Sequence, residues 1–204
     1  MPGDVTEEDF QSYLSAANTA ISPFDFEIRS TYHQVSRTRI YALVNTTSDP
    51  ITQLATTRTW DELAFLKRVL DAMFETYNTR RHEIMAITST QAIHLHKAPS
   101  ESEGNRRETQ NGSATQGSSG QGLSMVQAEK VLKGLVEEGW FEKSRKGFYS
   151  LSPRGLMELR GWLIETYNDN GEEDEEEETV PKIKSCFACK EIITVVRYAF
   201  DRAW

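Results

Sequence analysis

From Pro99 to Gly122 the chain runs through 24 residues with a single hydrophobic side chain, Ala114. Ordering a residue costs about 1–2 kcal/mol of backbone entropy, and this stretch has no apolar surface to offset it. It therefore reads as a disordered insertion, residues 98–122. Periodic apolar patterns resume on both sides of it. The flanking segments are thus expected to be two halves of one domain that fold together around the insert.

The half before the insert contains the strongest helix signal. Thr59-Trp60-Asp61-Glu62 is a capping box, in which the Thr hydroxyl and the Glu carboxylate each satisfy an otherwise unpaired backbone N–H. Trp60, Leu63, Leu66, Val69, Leu70, Met73, Phe74 and Tyr77 follow at helical spacing and predict a buried stripe. A shorter helix is expected to start near Thr88 or Ser89 and to carry Ala92, Ile93 and Leu95. After the insert, Ser124-Met125-Val126-Gln127 is a second capping box. Its stripe is Ala128, Val131, Leu132, Leu135 and Val136, and Gly139 stops the helix. Residues 140–151 then read as strand, basic Gly-containing turn and strand. Ser152-Pro153 opens a closing helix lined by Leu156, Leu159, Trp162, Leu163 and Tyr167.

The N-terminal 57 residues repeat part of this order. A helix capped by Thr6, with Phe10, Tyr13, Leu14 and Ala17 on one side, precedes a hairpin predicted at 28–34 and 38–44. One helix and one hairpin make a thin core, so this unit is expected to lean on something else.

Helix, short helix, helix, two-stranded wing and closing helix is the winged-helix order. The predicted class is therefore α+β, mostly helical, with tandem winged-helix domains of which the first is partial. The boundaries are 1–57 for the partial domain, 58–168 for the second with its insertion at 98–122, 169–181 for an acidic linker, and 182–204 for a C-terminal cysteine segment.

Charge and length exclude several classes. The net charge of -8 is concentrated in residues 172–178, which carry seven acidic groups and leave about -1 elsewhere. Nucleic-acid contact is neither implied nor excluded by that balance. No apolar run approaches the ~20 residues that cross a bilayer, and the first residues lack a basic and apolar leader, so a cytosolic or nuclear protein is expected with no membrane partner. No nucleophile elbow, phosphate loop or paired-carboxylate motif points to a small-molecule active site.

Two groups of residues carry chemistry. Lys143, Arg145 and Lys146 lie in the wing and are the candidate nucleic-acid contacts. The helix at 125–138 is a poorer reader of DNA, since its exposed positions hold Lys130 and Lys133 against Glu129, Glu137 and Glu138. Cys186 and Cys189 are the only cysteines, and Cys-x-x-Cys suits a zinc knuckle. Zinc takes four ligands, and residues 190–204 contain no Cys or His. Half of a zinc module, a redox dithiol and an inert pair all remain open. His33, His82, His94 and His96 are scattered and read as surface residues.

Several long strings resemble one family. They are residues 22–31 (Ser-Pro-Phe-Asp-Phe-Glu-Ile-Arg-Ser-Thr), 37–50 (Arg-Thr-Arg-Ile-Tyr-Ala-Leu-Val-Asn-Thr-Thr-Ser-Asp-Pro), 135–154 and the knuckle 186–194. All are similar to fungal non-structural maintenance of chromosomes element 1, a subunit of the SMC five/six complex. The resemblance implies tandem winged helices that dock on a MAGE-like subunit, with a kleisin subunit in the same assembly. It implies a C-terminal variant RING with two zincs, which works with a ubiquitin-conjugating E2 as an E3 ubiquitin ligase in DNA repair and recombination, in the nucleus. DNA is then met mainly through the complex. Such a RING positions a charged E2 and supplies no nucleophile. Of the zinc ligands, only Cys186 and Cys189 carry over. The family has further winged-helix sequence before residue 5. Beyond Thr194 it continues with Gly, more Cys and a Cys-x-His pair, where this chain reads Val195 to Trp204. The RING-like knuckle is therefore expected to be incomplete, its zinc weakly held and ligase activity of this chain in doubt. The alternative reading from the residues alone is a stand-alone winged-helix DNA-binding regulator.

Overall fold

The computed structural model describes residues 5–46, 58–79, 81, 83–97, 122–168 and 181–194. Helix α1 spans Glu7–Ile21, and a 3-10 turn at Ser22–Phe24 follows it. Strands β1 (Phe26–Tyr32) and β2 (Arg39–Asn45) form an antiparallel hairpin. Helix α2 (Trp60–Asp71) runs into a π-turn at Ala72–Thr76. Then come β3 (Ala86–Thr88), α3 (Ser89–His94), α4 (Met125–Glu137), β4 (Phe141–Lys143), β5 (Phe148–Leu151) and α5 (Pro153–Asn168). The class is mixed α and β. No helix among the described residues is long and apolar enough to cross a membrane.

Local chemistry starts the helices where the sequence predicts. Reciprocal capping boxes close α1 (Thr6 with Asp9), α2 (Thr59 with Glu62), α3 (Thr88 with Gln91) and α4 (Ser124 with Gln127). Each cap contributes about 1 kcal/mol. Gly139 ends the α4 turn at φ +78°, a conformation open to glycine at little cost. Ser152 caps α5, accepting from the Gly155 N–H at 3.0 Å.

One core joins both sides of the insertion. Phe65, Leu66, Val69 and Leu70 of α2 pack with Ala128, Val131, Leu132 and Leu135 of α4, Phe141 and Leu151 of the ribbon, and Leu159 and Leu163 of α5. Phe65, Val69, Leu132 and Leu163 are fully buried. Tyr167 stacks on Phe74 with centroids 5.3 Å apart, and its hydroxyl donates to Asp71 Oδ1 at 2.8 Å, tying the end of α5 to α2. The expected insertion falls, Gly122 apart, outside the described residues. So do the acidic run 172–178, the tail 195–204 and His82.

The structure departs from the sequence expectations at five places. The second sheet has three strands in the order β3-β5-β4, because Ala86-Ile87-Thr88 pairs with Phe148–Ser150. The first hairpin starts two residues earlier than predicted: Phe26 pairs with Asn45, and residues 33–38 form the turn. Trp60 is 87% exposed, since it sits at the first helical position, before the stripe turns inward. His96 is buried, its Nδ1 2.9 Å from the Ile93 carbonyl. The predicted stripe of α1 buries none of its residues.

Candidate docking surface and cysteine ribbon

The N-terminal hairpin packs between α1 and α5. Strand alternation sends Ala42 and Val44 to one face of the hairpin, where they cluster with Met157 of α5. Tyr41 and Leu43 point to the other face, and the Phe10 ring of α1 meets Tyr41 edge-on at 5.2 Å. That second face is left unfinished. Leu43 is 54% exposed, Tyr13 of α1 69%, and Phe24 in the turn between them 72%. A helix without a buried residue, flanked by exposed aromatic rings, is the sort of apolar surface that a partner covers.

The basic residues lie on the β4–β5 hairpin. Arg145 and Lys146 are exposed at the turn between β4 and β5, and Lys143 extends over the Tyr149 ring, its Nζ 4.9 Å from the centroid. The three sequence-predicted basic residues therefore share one ribbon tip. On β4, Glu142 Oε2 lies 3.7 Å from His33 Nε2, which joins the ribbon to the turn of the N-terminal hairpin. The remaining ring nitrogen of His33 accepts from the Ser36 N–H at 3.0 Å.

Residues 181–194 form a short ribbon built around the two cysteines. Cys186 N–H donates to the Glu191 carbonyl and Ile193 N–H to the Lys184 carbonyl, both at 2.8 Å. Lys190, at φ +61°, donates its N–H to the Cys186 carbonyl at 2.8 Å and turns the chain. Cys186 is half-buried, Cys189 is exposed, and both are free thiols. The N–H groups of Cys189 and Ala188 point at the Cys186 sulfur. Together with the Cys189 side chain and the Lys190 ammonium they lower its pKa against a small opposing effect of burial. Phe187, between the cysteines, is 94% exposed, and the Lys190 ammonium lies 5.0 Å from its ring centroid.

The knuckle suits a thiophilic metal in donor type but not in number. Among the described residues no group of three or more His, Cys, Asp or Glu could hold a metal ion. Cys186 and Cys189 would by themselves offer two of the four ligands that structural zinc takes. His33, His94 and His96 are not brought to them in such a group.

Sequence reasoning did not find how firmly this ribbon is attached. Ile183 and Ile192 are each 2% exposed and belong to the main core. Asn168, at the end of α5, binds both backbone groups of Ile183: Nδ2 donates to its carbonyl, and Oδ1 accepts from its N–H, each at 2.8 Å. Asn78 Nδ2 donates to the Lys182 carbonyl at 2.8 Å. From the hairpin turn, Gln34 Nε2 donates to the Ile192 carbonyl at 2.7 Å, and its Oε1 accepts from the Thr194 N–H at 3.0 Å. Lys182 pairs with Glu75 at 2.9 Å, and Lys184 pairs with Glu83. The signal in the sequence was faint: isoleucines nine residues apart on either side of the knuckle.

A solved structure described as the Nse1-Nse3-Nse4 complex matches with a TM-score of 0.63 at 20% identity, covering 93% of this chain. The likeness shows the fold. The chain spans 65% of the length of that relative. No curated protein matches it. The family model described as Nse1 non-SMC component of SMC5-6 complex matches residues 1–159. A match over that much of the chain, across α1, both sheets and most elements of the common core, shows that the protein belongs to the Nse1 family of non-SMC components of the SMC5-6 complex.

Proposed function

We propose that this chain is a scaffold subunit in genome maintenance, built from tandem winged helices. It docks through its N-terminal unit onto a MAGE-like Nse3 subunit and holds a RING-like cysteine ribbon at a fixed place on the assembly. The kleisin Nse4 completes the same complex, in the nucleus. The observation that supports this reading most is the surface of α1 and the hairpin: fifteen residues of helix without a buried side chain, beside exposed Tyr13, Phe24 and Leu43. Burying those three side chains on a partner would contribute about 1.5–3 kcal/mol for each that becomes fully covered.

Ligase chemistry enters this reading through position. Cys186 and Cys189 are two ligands of a structural zinc, and the ribbon orients a ubiquitin-charged E2 when its remaining ligands are supplied. The side chains of this chain need only orient, since a RING leaves the transfer to the E2 thioester. DNA repair and recombination are the processes served, and DNA is met mainly through the complex.

The test is direct binding of the purified chain to its MAGE-like partner, comparing the wild type with a Tyr13→Ser/Phe24→Ser double variant. The reading predicts a folded variant that binds at least about tenfold more weakly. Equal affinity would place the docking surface elsewhere.

A further inference from the structure

Among the described residues, part of the outer edge of β1 is left unpaired, and the apolar docking face does not use it. In an antiparallel ladder, alternate residues turn their backbone groups toward the partner strand and away from it. His33 N–H donates to the Thr38 carbonyl, so the odd-numbered residues of β1 face β2 and the even-numbered ones face outward. Ile28, Ser30 and Tyr32 therefore present N–H and C=O groups to the outside. Asn18 of α1 takes both groups of Ile28, its Oδ1 accepting at 2.7 Å and its Nδ2 donating at 3.3 Å. Among the described residues nothing does the same for Ser30 and Tyr32.

That open edge borders a groove of about 520 Å³. Residues 30–34 form one wall, and the other is the cysteine ribbon, with Cys186, Cys189 and Glu191 to Ile193. The two walls meet at the Gln34 side chain, which already pairs with the ribbon backbone as a neighbouring strand would. Ile192 N–H also faces outward on the ribbon, because the Ser185–Ile192 bridge is closed by the bonds of the residues beside it. Arg37 and Arg39 line the groove, and among the described residues that line it Glu191 is the one acidic side chain. The Arg39 guanidinium has a long, exposed pairing with Glu7, at 3.8 Å, which leaves it donors to offer.

We propose that this groove binds an extended, acidic segment of a partner polypeptide, which adds as a strand to the Ser30–Tyr32 edge while a carboxylate meets Arg37 and Arg39. The backbone bonds supply affinity without regard to side chains, and the two guanidinium groups select for negative charge. An unpaired edge otherwise invites indiscriminate association, and here Asn18 and Gln34 confine it to one short window.

The test uses the full chain and a phage-displayed library of random dodecapeptides. The expected result is enrichment of peptides that combine Asp or Glu with β-branched residues. Two variants then interrogate the site with the enriched peptides. Ser30→Pro removes an outward N–H and leaves the β1–β2 ladder intact, as proline is tolerated on a free strand edge. Arg37→Glu/Arg39→Glu reverses the charge. Each should weaken binding at least about tenfold with an unchanged circular dichroism spectrum. If Ser30→Pro perturbs the fold, the charge-reversal variant decides alone. The proposal is overturned if no peptide is enriched, if the enriched peptides are neutral or basic, or if they bind the charge-reversed chain as tightly as the wild type. It is also overturned if the edge serves a second copy of this chain, seen as concentration-dependent dimerisation that Ser30→Pro abolishes, or if a free peptide of residues 172–178 competes fully and so identifies the chain's own acidic run as the occupant.

Discussion

Gln34 grips Ile192 across 158 residues of sequence, donating from Nε2 to its carbonyl at 2.7 Å while Oε1 accepts from Thr194 at 3.0 Å. A side-chain amide here does the work of a third strand. It joins the turn of the N-terminal hairpin to the ribbon that carries the cysteines. Asn168 repeats the device on Ile183 from the other side. The cysteine ribbon is thereby seated on the body from two sides by side-chain amides.

This seating can be measured. Asn168→Ala removes two hydrogen bonds to a buried stretch of backbone, each worth about 0.5–1.5 kcal/mol. Amide exchange at Ile183 and its neighbours should accelerate by about one to two orders of magnitude, while α4 keeps its protection. Unchanged exchange at Ile183 would mean that the amide does not hold the ribbon.

The shared core predicts a large effect at Leu132. It is fully buried in α4 between the elements before and after the insertion, so Leu132→Ala should cost about 2–5 kcal/mol in denaturant unfolding. Val126, 76% exposed on the same helix, should be near neutral when changed to Ala. A loss below about 1 kcal/mol at Leu132 would mean that the two halves do not share a core.

Gly155 is required by space. A Cβ there would lie 2.6 Å from the Trp140 carbonyl oxygen and 3.2 Å from Leu151 Cδ2. Since the nearest obstacle is backbone, Gly155→Ala should destabilise by about 1–3 kcal/mol. Gly161, on the same helix, has nothing within 4 Å of the added carbon, and its change to Ala should stabilise by up to about 1 kcal/mol. Paired melting curves decide it, and equal shifts would contradict the packing.

Glu158 gives a pH signature. Its side chain is 3% exposed and Oε2 has no hydrogen-bond partner among the described residues. Burial raises its pKa, against the opposing pull of Arg154, whose Nε lies 3.4 Å away. The folded state then holds a proton that the unfolded state releases. Stability from this group is complete below the ordinary carboxylate range and falls as pH rises through the window up to the raised value. Glu158→Gln should melt above the wild type at pH 7.5, and the gap should close near about pH 4. A wild type that melts higher at pH 7.5 would show that the Arg154 pair outweighs desolvation.

Local chemistry was legible in the sequence where it is self-contained. The boxes at Thr6, Thr59, Thr88 and Ser124 each need only a residue three positions on, and all four form. The Leu132 stripe was legible because α4 meets the core along one face. Strand β3 was not, because three residues show no alternation, and only their pairing with Phe148–Ser150 makes them a strand. The tethers of the ribbon were illegible for a similar reason. Gln34, Asn78 and Asn168 are ordinary polar residues until the fold brings an unpaired backbone to them. Trp60 was misplaced because periodicity cannot tell the first turn of a stripe from the turn before it.

The central claim is that the N-terminal unit is a docking surface and the wing is not a free-standing DNA reader. Hydrogen–deuterium exchange on the full chain tests it most directly, comparing the chain alone, with its MAGE-like partner and with duplex DNA. The account predicts that the partner protects α1 and the β1–β2 hairpin, and that duplex alone leaves residues 143–147 unchanged at physiological salt. Strong protection of 143–147 by duplex alone, with a steep salt dependence and no partner effect on α1, would contradict it.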